Sequence, residues 1–104
     1  MEQPEQPTEL KPLSKTALDT TAHTFEYVKD AVERKVTVER AIELRKMADD
    51  HLEGIAQEFG KANSINFYAA YDRLTQPGEP GRPLLEASIG LSEIIADGQH
   101  PMRA

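Results

Sequence analysis

The sequence has no cysteine, so it offers no disulfide framework, no zinc ribbon and no thiol nucleophile. Long hydrophobic runs are missing as well, which argues against a transmembrane helix. The opening Met1-Glu2-Gln3-Pro4-Glu5-Gln6-Pro7 is acidic and proline-rich, the opposite of a secretory leader. Basic charge is in deficit: 12 Lys and Arg stand against 18 Asp and Glu, for a net charge of −6 over 104 residues. A chain of that sign is repelled by nucleic acid unless one face is strongly basic. Alternating apolar and polar residues are confined to Val36-Thr37-Val38, too short for a sheet. These features are compatible with a reducing compartment, and the expected location is the cytoplasm.

What is present points to one helical domain. A length near 100 residues suits a single domain, and 29 % charged residues is an ordinary value for a folded chain. Residues 1–13 carry three prolines and three glutamates and offer little to bury, so they are expected to form a flexible tail. Residues 99–104 are expected to fray in the same way, leaving residues 14–98 as the domain.

A first helix is expected over residues 16–34, with Thr16 and Asp19 as its capping pair. Leu18, Ala22, Phe25, Val28 and Val32 recur at helical spacing and define its expected core face. The Lys35-Val36-Thr37 stretch breaks the helix and reads as a hairpin tip, with Thr37 capping a second helix. That helix is expected over residues 38–60. Ala41, Ala48, Leu52, Ile55 and Phe59 form its seam, with Ile42 and Leu44 widening it. Arg45 is expected to lay its stem along the seam with its head outward, and Gly60 is the expected terminator.

A short third helix over residues 64–75, capped by Asn63 or Ser64, places Phe67, Tyr71 and Leu74 on one face. The segment from Gln76 to Pro83 holds three prolines and two glycines and reads as a loop. Pro83 suits the first turn of a fourth helix over residues 83–97. Leu84, Leu85, Ala87, Ile89, Leu91, Ile94 and Ile95 cover most of its circumference, which predicts a central helix or one buried against another copy. The expected fold class is all-α, a small bundle of three to four helices built on a helical hairpin.

Catalytic and metal-binding patterns are scarce. Asp19, His23 and Glu26 share a helix face, a weak cation pattern better explained as local charge pairing. His51 stands among Asp49, Asp50 and Glu53, yet these diverge around a helix and lack the Glu-x-x-His spacing of di-metal bundles. His100 lies in the C-terminal tail. Ser14, Ser64, Ser88 and Ser92 sit in no Gly-x-Ser-x-Gly elbow. Ser88 and Ser92 read as small packing residues, and the glycines near Pro77 do not form a phosphate loop. No enzyme activity, catalytic residue, metal or cofactor is expected.

Two binding surfaces stand out. Tyr68 is expected to face away from the core and, with Leu85, Ile89 and Ile95, to form a protein interface. At the hairpin tip Arg34, Lys35 and Arg40 are candidates for phosphate contact, although cations there also suit the C-terminal end of a helix. From Phe25 to Phe59 the helix–link–helix arrangement resembles many small helical proteins of phages and plasmids, without a functional motif inside it. The expected role is an acidic, non-catalytic protein-binding protein such as an adaptor, regulator or inhibitor. It is expected to self-associate, as a dimer foremost, with no membrane partner. The alternative is a nucleic-acid-related regulator. It would act as an acidic phosphate mimic blocking a nucleic-acid-binding protein or, as a weaker option, by binding DNA through the basic tip.

Overall fold

Ser14 starts the first helix: its side-chain oxygen accepts a 3.1 Å hydrogen bond from the Ala17 N–H, satisfying one of the free donors of the first turn. In a computed structural model describing residues 10–98, this helix, α1, spans Lys15–Arg34. Thr16 and Asp19, the expected capping pair, lie within the helix, where Asp19 pairs with Lys15 at 3.0 Å. Lys35 closes α1 in the left-handed conformation at φ 52°. The Lys35 N–H reaches Val32 O at 3.1 Å and the Val36 N–H reaches Ala31 O at 3.3 Å, a Schellman closure.

Thr37 caps α2, Val38–Asn63, as its spacing predicted, accepting from the Arg40 N–H at 3.1 Å. The helix runs through Gly60 and ends at Ser64, which takes the left-handed conformation at φ 56°. Gly60 is therefore not the terminator. Its hydrogen is needed because a Cβ there would lie 2.9 Å from Ile65 O; the returning backbone occupies that space.

The third helix, α3, spans Phe67–Leu74 and is capped by Asn66, which accepts from the Ala69 N–H at 2.8 Å. Asn63, one of the two caps expected, is used elsewhere. Its Oδ1 accepts from the Lys11 N–H at 2.6 Å, and its Nδ2 donates to Lys11 O and to Phe59 O, both at 3.0 Å. This clip holds residues 10–13, expected in the tail, against the domain, with Leu13 buried in the core. Residues 1–9 and 99–104, the rest of the expected tails, lie outside the described residues. After the 75–81 loop, in which Gly78 has φ 88°, α4 spans Arg82–Gly98 with Pro83 in its first turn.

The described residues form an all-α bundle of four helices, with α2 packed against each of the other three. The Ser88–Asp49 and Arg45–Ser92 hydrogen bonds, at 3.1 Å and 3.4 Å, set α4 antiparallel to α2. The α2 seam of Ala41, Leu44, Ala48, Leu52, Ile55 and Phe59 is buried, as its spacing predicted. Ile42, expected to widen it, is exposed.

On α1 the buried face is Ala17, Thr21, Val28 and Ala31, whereas Leu18 and Ala22 are exposed. Thr21 offsets its polarity by donating to Ala17 O at 2.7 Å, and Phe25 and Val32 pack half-buried against the core. Around α4, Leu84, Ser88, Leu91 and Ile95 are buried, while Leu85, Ala87 and Ile94 are half-buried. Gly90 admits Val32 of α1, whose Cγ1 would lie 3.1 Å from a Cβ there. Most of the apolar circumference of α4 is thus covered within the chain.

Candidate binding groove

Asp49 and Glu53 are four residues apart on α2, so they share a face. On α3, Phe67 and Tyr68 open the helix and Tyr71 stands one turn beyond Phe67. Because α3 folds back along α2, these five side chains line one groove of about 380 Å³. Its aromatic wall is continuous. The Phe67 and Tyr68 rings meet edge to face with centroids 5.3 Å apart, and Phe67 and Tyr71 tilt together at 6.0 Å, spacings at which aromatic rings attract. Tyr68 is 81 % exposed; the ring stands on the rim.

The acidic side is held by the bundle. Ser88, buried on α4, donates to Asp49 Oδ1, which orients that carboxylate beside the aromatic wall. Its Coulombic reach is visible at Tyr71, whose phenol is pushed above its ordinary value of 10.0, first by burial and then by the charges of Asp49 and Glu53. Tyr71 therefore stays protonated, and the groove carries a negative potential at neutral pH. In contrast to Asp19, Asp30, Glu33, Glu43, Asp50 and Glu86, which pair with cations three or four residues away, neither Asp49 nor Glu53 enters an ion pair among the described residues.

The interface residues expected from the sequence divide. Tyr68 lies on the groove and Ile89 is 52 % exposed, while Leu85 is half-buried. Ile95 is a correction: it is 9 % exposed and belongs to the core, because it shares with Leu84, Ser88 and Leu91 the face of α4 turned to α2. Asp49, Glu53 and Tyr71 were missed as site residues. In the sequence, Asp49 and Glu53 read as diverging carboxylates around His51 and Tyr71 as sharing a face with Phe67 and Leu74; the i, i+4 spacing of the two carboxylates was the available signal.

At the hairpin tip, Arg34 binds Asp30 at 3.0 Å and Arg40 binds Glu43 at 2.9 Å. Arg40 also donates to the Tyr27 hydroxyl and lies 5.8 Å from the centre of that ring. Lys35 serves as the α1 cap. Two of the three candidate phosphate contacts are already held by carboxylates, which weakens the tip as an anion site.

Among the described residues no group of three His, Asp or Glu side chains is arranged to hold a metal ion, and no helix is long and apolar enough to cross a membrane. His51 turns toward α1, where its Nε2 lies 2.8 Å from Thr21 Oγ1. The single hydroxyl proton of Thr21 serves Ala17 O, so Nε2 carries the proton and donates. Burial holds the His51 pKa below its ordinary 6.5.

The folded form therefore resists a proton that the unfolded chain accepts. The stability tied to His51 is present above the ordinary value and is lost as pH falls through the depressed one. Urea midpoints measured at about pH 7.5 and about pH 5 are expected to fall further in the wild type than in His51→Gln, which keeps a donor for Thr21. Equal falls would show that the ring protonates as easily folded as unfolded.

No family model, no curated protein and no solved structure matches the chain.

Proposed function

We propose that the protein works in the cytoplasm by binding another protein, without catalysis, and that the α2–α3 groove is its docking face. The observation that carries this reading is the aromatic wall of Phe67, Tyr68 and Tyr71 set against Asp49 and Glu53, with Tyr68 left almost wholly in solvent. Exposed tyrosine is enriched where proteins meet, because a rigid ring gives contact area at low entropic cost. Self-association, expected from the circumference of α4, retains Leu85 and Ile89 as its surface after Ile95 is assigned to the core and Tyr68 to the groove.

The test is affinity capture from nuclease-treated host lysate with the wild type and with Tyr68→Ala. The expected result is one stoichiometric protein recovered by the wild type and depleted by the variant. Equal recovery overturns the assignment of this face. A complex that survives only when nuclease is left out moves the role to nucleic acid. Sedimentation of the purified chain at high concentration tests the dimer separately, with a monomer removing self-association and leaving the groove to a foreign partner.

A further inference from the structure

We infer that the groove is a receptor for an arginine side chain, presented by a basic segment of the protein partner. This rests on the docking role proposed above and names the chemistry that would fill the site. Three features converge on a planar cation. Two carboxylates on one helix face, Asp49 and Glu53, border the groove and are free of ion pairs among the described residues. Opposite them stand the faces and edges of two tyrosines and a phenylalanine.

A guanidinium satisfies both sides at once. Its flat face stacks on an aromatic ring while its forked N–H donors address carboxylate oxygens. An ammonium makes the charge contact but lacks the planar stack. An apolar side chain would cover the rings and leave two carboxylates partly desolvated without a partner, which opposes binding.

The surroundings favour the same occupant. Ser88 anchors only Oδ1 of Asp49, leaving the second oxygen to accept. The Tyr71 phenol, raised first by burial, is raised further by the charges of Asp49 and Glu53, so both carboxylates act on the ring beside which the cation would sit. Lys46, the basic residue one turn before Asp49 and Asp50 on α2, is committed to Asp50 at 2.9 Å and feels Glu53 only as a lesser Coulombic influence.

The experiment is a titration of the full-length ¹⁵N-labelled protein, followed by amide chemical shifts. Three short peptides are compared, identical except for a central arginine, lysine or citrulline. The arginine peptide is expected to shift amides of residues 49–53 and 67–71 selectively, and the lysine peptide to do so more weakly. Citrulline, which keeps the shape and loses the charge, is expected to leave them in place. Raising the salt is expected to weaken the arginine complex. Tyr68→Ala is expected to reduce affinity about two- to fivefold, and Glu53→Gln to reduce it without moving the circular dichroism spectrum. Both residues are exposed, so folding does not obscure the result.

Citrulline binding as well as arginine overturns the inference, as do shifts spread over the other acidic helix faces. Concentration-dependent shifts at the same residues without peptide would give the groove to a second copy and also overturn it. The two readings fail separately. A partner captured through Tyr68 but insensitive to salt and to Glu53→Gln keeps the docking role and removes the arginine.

Discussion

Replacing Leu52 with alanine is expected to cost about 3–4 kcal/mol of folding stability. Leu52 is 1 % exposed and lies in the middle of α2, the helix that packs against all three others. Its Cδ2 would stand 3.2 Å from a Cβ at Gly81, so the side chain also fills the corner where the chain turns from the 75–81 loop into α4. Truncation leaves a void that several elements border, and the surrounding helices cannot all close on it together. For a domain of about this length, a loss of 3 kcal/mol lowers the melting temperature by roughly 12–24 °C, against a total stability of only about 5–15 kcal/mol. Ile89→Ala is the matched control, since half of that side chain is already in water and its truncation is expected to change stability by under about 0.5 kcal/mol. Urea unfolding followed by circular dichroism reads both. A Leu52→Ala loss below about 1 kcal/mol would contradict the central placement of α2.

The α2 seam was legible because large apolar residues recur on it at a constant helical step, and because one helix contacting all others needs an unbroken stripe. The tip was legible for a local reason: Thr37 followed by an acidic first turn satisfies donors without help from tertiary structure. The α1 face was legible at Phe25, Val28 and Val32 but not at Leu18 and Ala22, because spacing alone does not say which edge of an apolar stripe its neighbours cover. Ala17 and Thr21 lie inward and Leu18 outward, and the Thr21 hydroxyl finds its acceptor inside its own helix. Ile95 was misread for the same reason. A helix apolar around most of its circumference does not declare which side its neighbours cover, and here α1 and α2 take two of them. The groove was the least legible element. Asp49 and Glu53 lie in a different helix from the three rings, and only the reversal of direction at Ser64–Asn66 brings them together.

That reversal supplies the second large effect: Gly60→Ala is expected to cost about 1–3 kcal/mol, and Gly54→Ala, six residues earlier in the same helix, to stabilise by about 0.5–1 kcal/mol. An added methyl at Gly54 meets nothing within 4 Å, so only the gain in helix propensity is expressed. At Gly60 the same methyl meets Ile65 O at 2.9 Å and Ala70 Cβ at 3.5 Å. Neither neighbour is free to yield. The Ile65 N–H is bonded back to Gly60 O at 3.0 Å, Asn66 is fixed as the α3 cap, and Ala70 is fully buried. The contact is relieved only by moving α3 away from α2, which also withdraws Tyr68 and Tyr71 from Asp49 and Glu53. Gly60→Ala is therefore expected to weaken partner binding, whereas Gly54→Ala is expected to leave it unchanged. Urea midpoints of opposite sign for the two variants would confirm that close backbone approach, rather than helix termination, selects glycine at position 60. A stabilising Gly60→Ala would show instead that the turn has room for a side chain and that the α2–α3 spacing is set elsewhere.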